Sequence, residues 1–501
     1  MVKGSFRRTM IWLHTYSGLL LGWLCFIIFL TGTLSFYNTE ITQWMQPEHR
    51  SETIADGHIQ RAFSLLHEQG KDKKRWSIIL PNARSNALQV TMANERSRRA
   101  KRTTLFLDVA DFTQVMPRET QGADFFTDIH YSLMLDDFGE VIVVAIAIVM
   151  LVALFSGIFT HRRFFKDFFT LRFKRLTQAL SDSHALVGIV TLPFFFVICL
   201  SGVIMSNNTT NPWSINHHFE QGKRQLVSTL ETRFNNPKLT GVIGDPITDI
   251  TPLLDVASKL WGSGKIKSIV FNGPYDVAGT ITFIRQDEGT LSSSNQSLVF
   301  SAIDGHLLFE KNSDEESISL AFERVLIGLH EAEFAPPLLR FIMFLMGIGG
   351  TFLIASGLII WLNKRLEKTK KRHRGHHIVQ QLNIDVLAGL PLAIAGYFFA
   401  NRLIPATLAY RAELEIVTFI VCWLAVIVCC HVKHIESLWP KLLLIMAGAY
   451  LTLPIIDVLI EPRYFLDALQ FANFNYLGVN LLFISTAVMA FTLYLYTKRR
   501  A

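Results

Sequence analysis

Residues Leu13–Tyr37 form a 25-residue stretch without a single Asp, Glu, Lys or Arg. About 20 apolar residues in a helix suffice to cross roughly 30 Å of hydrocarbon, so such a run constrains the chain more than any other feature. Comparable runs recur at Val141–Thr160, Ala185–Met205 and Phe341–Leu362, followed by Val386–Ala400, Ile416–Cys430, Leu442–Ile460 and Tyr476–Tyr496. They predict a polytopic all-α membrane protein with about eight transmembrane helices. The first four spans are placed at 10–37, 138–161, 184–206 and 337–363, and an appended four-helix bundle at 383–497.

Charge sets the expected orientation. Lys3, Arg7 and Arg8 precede the first span, and Arg162, Arg163, Lys166, Arg172, Lys174 and Arg175 follow the second. The 364–382 segment carries Lys364, Arg365, Lys368, Lys370, Lys371, Arg372 and Arg374, and Lys498, Arg499 and Arg500 follow the last span. With eight spans all of these lie on one side, and the positive-inside rule makes that side the cytoplasm, with both termini there. The net charge of +7 is therefore a topology signal. Nucleic-acid binding is not expected, because the basic residues flank spans and form no separate domain. The first apolar run is too long for a cleaved leader, and no small-x-small site follows it at Phe36-Tyr37-Asn38, so a retained helix is expected. Cys25, Cys199, Cys422, Cys429 and Cys430 all fall in apolar runs, which excludes a periplasmic disulfide framework.

An internal repeat organises the first 363 residues. His14 stands four residues before Gly18 and 18 before Gly32; His184 stands four before Gly188 and 18 before Gly202. His130 precedes Gly157 by 27 residues, and His330 precedes Gly357 by 27, each Gly following a Ser. The polar stretches 38–137 and 207–336 face the periplasm in this topology. Each reads as a small α+β module: amphipathic helices at Ile59–Gln69 and Pro252–Trp261, each followed by three strands. The strands are Trp76–Leu80, Leu88–Met92 and Thr104–Val109 in one module, and Ser268–Phe271, Gly279–Ile284 and Ser297–Ser301 in the other. Each last strand runs into an aspartate, Asp111 or Asp304.

Low-spin b-type haem takes two neutral imidazoles on opposite faces of the porphyrin. His14 with His184 at the inner side, and His130 with His330 at the outer side, supply two such pairs, and Gly18, Gly188, Gly32 and Gly202 let a flat ring approach the backbone. A lone interfacial His is more often a hydrogen-bonding anchor, and duplication of a structural His would also preserve register, so both readings stand at this level. Zinc fits less well, since no Cys or carboxylate joins the histidines at zinc spacing. If the outer segments were straight helices, ten further residues would lift His130 about 15 Å above the hydrocarbon. The outer pair is therefore expected either at the surface or on segments that bend back.

Other motifs read as structural. His161 matches Trp361 in the repeat and is an interfacial residue, with alternative ligation of the inner iron as the lesser reading. Cys429-Cys430-His431 with His434 lacks a second ligand pair. His373, His376 and His377 belong to a solvated basic segment, and Gly347-Ile348-Gly349-Gly350 to helix packing. Arg7, Arg8, Arg162 and Arg163 could pair with haem propionates but read first as positive-inside anchors. Asp385, Asp457 and Glu415 lie near span ends and define no proton path. Trp213 and Phe219 offer aromatic surface without a spacing that marks a site.

The segments Trp12-Leu13-His14-x3-Gly18-Leu19, Ile129-His130-x2-Leu133, Ser183-His184-x3-Gly188 and Leu329-His330-Glu331, with Ser356-Gly357-Leu358 and Trp361-Leu362, resemble the PepSY-associated transmembrane family. That family includes inner-membrane reductases of ferric siderophores. The resemblance covers about residues 5–365 and implies that the two modules are PepSY-like, that the membrane core carries haem b, two per chain, and that a ferric siderophore is reduced in the periplasm. No nucleotide or flavin fingerprint occurs, so reducing equivalents would come from an unidentified cytoplasmic reductant or from quinol. The competing expectations are a siderophore or iron transporter, and a PepSY-bearing regulatory protein without redox activity.

Overall fold

Long apolar runs give the longest helices, because in hydrocarbon the backbone amides must be satisfied within their own segment. In the computed structural model seven helical segments among the described residues are long and apolar enough to cross a membrane: Phe6–Ser35, Asp136–Thr160, Pro337–Leu366, Arg374–Leu403, Arg411–His431, Leu438–Ile460 and Phe474–Lys498. Leu176–Val190 and Leu192–Met205 add an eighth if this pair, bent by 65°, is counted as one span. The protein is a multi-pass membrane protein. The structure describes residues 2–48, 56–82, 84–85, 88–94, 102–109, 112–160, 172, 176–206, 217, 234, 236–286, 291, 296–311, 318–369, 373–432, 438–471 and 473–498.

The chain divides into two units: Met1–Met45 with Glu119–Pro212 and Leu329–Ala501, and Gln46–Arg118 with Trp213–Gly328. In the first, the membrane unit, α1 (Val2–Ser35) is followed by a short α2 (Asn38–Met45). The second unit begins with α3 (Asp56–Gln69), and the chain returns to the first with α4 (Asp124–Ser132) and α5 (Asp136–Thr160). The bent pair is α6 (Leu176–Val190) and α7 (Leu192–Met205). Its break at Thr191 is placed by Pro193, which lacks an amide hydrogen and crowds the carbonyl four residues earlier.

The inserts as read from sequence need correction. Residues 38–45, 119–137 and 329–336 belong to the membrane unit, because α2, α4 and the His330 segment pack on the spans. The turn after α4 is tight: Leu133, Met134 and Asp136 all have positive φ. A Cβ on Gly139 would come within 1.6 Å of the Ser132 carbonyl oxygen, so only glycine lets α5 start this close to the end of α4. The chain therefore doubles back, and α4 lies against both α1 and α5. Of the two placements expected for His130, the bent-back one is found.

In the sheet unit α3 and α8 (Thr251–Trp261) accompany one eight-stranded antiparallel sheet, where two separate modules were expected. Its strands are β1 (Arg75–Ile79), β2 (Leu88–Ala93), β3 (Arg102–Leu107), β4 (Gln114–Val115), β5 (Ile266–Asn272), β6 (Thr280–Arg285), β7 (Ser297–Ser301) and β8 (Leu307–Lys311), in the order β4-β3-β2-β1-β5-β6-β7-β8. The halves join where β1 pairs with β5, with Trp76 opposite Phe271 and Ile78 opposite Ile269. Alternate residues such as Trp76, Ile78, Phe271 and Phe283 are wholly buried, as a one-sided sheet requires. The two-residue β4 and β8, with no buried residue, had no alternation strong enough to mark them in sequence. Asp111 lies outside the described residues; Asp304 accepts a 2.6 Å hydrogen bond from exposed His306.

After α9 (Ile318–Glu331) comes α10 (Pro337–Leu366), which contains Lys364 and Arg365. The expected basic loop 364–382 is thus helical at its start, and from Arg374 it is helical again, in α11 (Arg374–Leu387). α12 (Gly389–Leu403), α13 (Arg411–Val432), α14 (Leu438–Ile460), α15 (Pro462–Gln470) and α16 (Phe474–Lys498) complete the membrane unit.

Candidate paired-histidine sites

The four repeat-matched histidines meet in two pairs. The ring centres of His14 on α1 and His184 on α6 are 6.3 Å apart, with planes at 78°. Those of His130 on α4 and His330 on α9 are 6.0 Å apart, with planes at 36°. Two imidazoles sharing one metal through bonds of about 2 Å would put their ring centres about 6 Å apart. Plain aromatic contacts also span this distance, so the discriminating observations are the proton positions and the surrounding space.

Every ring is held through Nδ1. His14 Nδ1–H donates to the Ala153 carbonyl at 2.8 Å, and His130 Nδ1–H to the Ile28 carbonyl at 2.9 Å. A carbonyl only accepts, so the proton is on Nδ1 in both. His184 Nδ1 lies 3.0 Å from Ser356 Oγ, and His330 Nδ1 2.8 Å from Ser201 Oγ. Those hydroxyls already donate backwards along their helices, Ser356 to Leu353 and Ser201 to Val197. With the hydroxyls so engaged, the imidazoles would donate to them, the same Nδ1–H tautomer that the carbonyl partners impose on His14 and His130. This is the arrangement by which an outer-sphere acceptor fixes a metal-binding histidine. Burial pushes His130 below its ordinary pKa; burial first, and then the neighbouring His130, push His330 down to about 3. Both outer imidazoles are thereby neutral at physiological pH.

Four glycines carry the rings. A Cβ on Gly32 would come within 2.5 Å of the His130 ring, and on Gly202 within 3.3 Å of His330. Gly157 and Gly357 stand in the same relation to His14 and His184, each at 3.1 Å. Gly18 has nothing within 4 Å of a Cβ position and Gly188 only Leu353 at 3.3 Å; both line a cavity of about 530 Å³ that His14 and His184 also face. That volume suits a ligand of porphyrin size. Lys364, Arg365, Ser181 and Trp361 share its wall. Ser181 Oγ and Trp361 Nε1 are buried there without a hydrogen-bond partner among the described residues. Two buried, unanswered donors are what a bound anionic group would satisfy.

Sequence reasoning identified the eight positions above but missed the role of Gly157, Gly357, Ser356 and Ser201, although the Ser-Gly repeat held the signal. Arg7, read first as a positive-inside anchor, donates to the Thr160 carbonyl, and it is Lys364 and Arg365, read only as basic flanking residues, that reach the cavity wall. Arg162, Arg163, His161, His434, Trp213 and Phe219 lie outside the described residues. Cys429 is exposed while Cys430 is buried, and among the described residues no group of three or more His, Cys, Asp or Glu is placed to hold a metal. Glycines 347, 349 and 350 pack against Thr33, Thr191 and Phe195.

The chain is 25% identical over 298 residues to an uncharacterized protein of Pseudomonas aeruginosa, an alignment spanning 57% of this chain and 74% of the relative. Residues 11–364, which include all four paired histidines and both halves of the repeat, match the family described as PepSY-associated TM region. By that match, over well more than half its length, the chain belongs to the PepSY-associated TM region family.

Proposed function

We propose that each histidine pair holds one haem b and that the chain carries electrons across the bacterial inner membrane to a periplasmic ferric siderophore. The carrying observation is the pairing: four imidazoles in two pairs, with ring centres 6.3 Å and 6.0 Å apart, each ring held through Nδ1 by a partner on a neighbouring helix. No third protein ligand joins either pair among the described residues, which suits a metal whose remaining ligands arrive with it. Haem between two imidazoles supplies one-electron redox chemistry, with a potential set by its ligands and their burial.

At the inner site His14 and His184 would hold the iron, with Gly18 and Gly188 leaving room for the ring and Lys364, Arg365, Ser181 and Trp361 available to its carboxylates. His130 and His330, against Gly32 and Gly202, form the outer site. The positive-inside rule places Lys364, Arg365 and both termini in the cytoplasm, and the sheet unit, read as two joined PepSY-like modules, in the periplasm. The reductant is a cytoplasmic donor or quinol. One electron converts Fe(III) to Fe(II), which hard oxygen ligands hold less tightly, so iron leaves with the chelator intact.

Visible spectra of detergent-purified protein, oxidised and dithionite-reduced, with a pyridine haemochrome count, test this. Two b haems per chain are expected, and one after His14→Ala or His130→Ala. The reduced protein should be reoxidised by a ferric chelate and not by its gallium counterpart. A colourless protein made with ample haem would overturn the reading.

A further inference from the structure

The C-terminal helices contain no repeat-matched histidine, yet they hold the most deeply buried charges in the membrane unit. Arg402 and Asp457 are fully buried and 2.7 Å apart, and Asp457 also accepts from Tyr476 at 2.7 Å and from Asn480 at 3.0 Å. Removing two charges from water costs several kcal/mol that their attraction only partly restores, so such a pair is poor at stabilising and good at fixing one arrangement. What it fixes is Trp44 of α2. The Arg402 guanidinium lies 3.6 Å from the centre of the Trp44 ring and donates to the Trp44 carbonyl, while the indole N–H donates to Asn480 at 3.3 Å.

The rest of α2 reaches both outer histidines. Asn38 donates to Asp124 at 2.8 Å and to Thr127 at 3.1 Å, and Thr42 Oγ accepts the Ala123 amide at 3.0 Å; these bonds hold the first turn of α4, two turns before His130. On another side Glu40 faces Arg340 at 3.5 Å, and Arg340 donates at 2.7 Å to the Ala335 carbonyl, closing the turn that follows His330. A second tie runs straight from the bundle to α4: Tyr397 donates to the Gly122 carbonyl at 2.9 Å, and Phe125 stacks on Tyr397 at 4.8 Å.

We infer that α2 is a brace that sets the spacing of His130 and His330, and that the C-terminal helices serve as its anchor. Asn38, Glu40, Thr42 and Trp44 are positioning residues that act through the segments bearing the histidines. The inference rests on reading these two histidines as a ligand pair.

Thr42→Val, Trp44→Phe and the charge-neutral double variant Arg402→Met with Asp457→Asn test it in the full chain by two readouts. Hydrogen exchange followed by mass spectrometry should show residues 124–132 exchanging at least tenfold faster in each variant, with residues 140–155 unchanged. In redox titration, the haem signal that His130→Ala removes should shift or broaden, and the one that His14→Ala removes should stay. Thr42→Val, nearly isosteric, covers the case in which the buried-pair variant fails to fold. Unchanged exchange in 124–132 for folded variants, or equal movement of both haem signals, would overturn the brace. A colourless parent protein refutes the haem reading alone, and the exchange data still decide whether α2 holds α4.

Discussion

At the scale of single residues, the glycines divide by what they face. Gly32 lies under the His130 ring with no room for a methyl group, whereas Gly18 borders the open cavity between His14 and His184. Gly32→Ala should overpack the outer pair, costing about 1–3 kcal/mol, and should lower thermal stability together with haem content. Gly18→Leu adds bulk only to empty space, so it should leave the melting temperature near the parent's while the haem count falls from two to one. Thermal unfolding beside a pyridine haemochrome assay separates the two effects. This division could not be read from spacing, which presents Gly18 and Gly32 as equivalent landmarks. Only the third dimension shows one as a seat for a ring and the other as a wall.

Elements were more legible than their arrangement. The apolar runs located the candidate spans to within a few residues at most ends, because hydrocarbon thickness sets a length that sequence must meet. Strands β1, β2, β3, β5, β6 and β7 were visible from alternation for the same kind of reason: one face is buried. A segment that bends back was one of two placements expected for His130, but the position of the turn was not visible, since no Gly or Pro stands at Leu133, Met134 or Asp136, where the backbone enters the left-handed region. The sign in the sequence is Gly139, three residues downstream, which interrupts the stretch between His130 and the apolar run. Gly139→Ala should push α5 off the end of α4 and displace His130. The measurable outcome is loss of the outer haem signal with the inner one retained.

For the whole molecule, the membrane unit is tied together by ionic pairs as well as by apolar packing. Arg411 pairs with Glu415 and Arg402 with Asp457, all four being buried. Asp457→Asn leaves Arg402 buried without its counter-charge, and breaking such a pair costs about 3–5 kcal/mol. A drop in the detergent melting temperature of several degrees is expected, partly relieved when Arg402→Met is added. Hydropathy reading placed Asp457 and Glu415 near span ends but gave no partners: Arg402 answers Asp457 from another helix, and Arg411 answers Glu415 from one turn earlier on the same helix, just before the apolar run begins.

The eight-stranded sheet joins its halves through antiparallel pairing of β1 with β5, the first strand of each half. Antiparallel contact between equivalent strands is what a two-fold axis generates when two identical subunits meet edge to edge. The strand order on either side of the seam mirrors itself accordingly, β1 to β4 running outward one way and β5 to β8 the other. Either half alone would carry a bare strand edge, and an unpaired edge is a template for association. Split at the seam, the two halves would each be expected to associate again through the bared β1 and β5 edges.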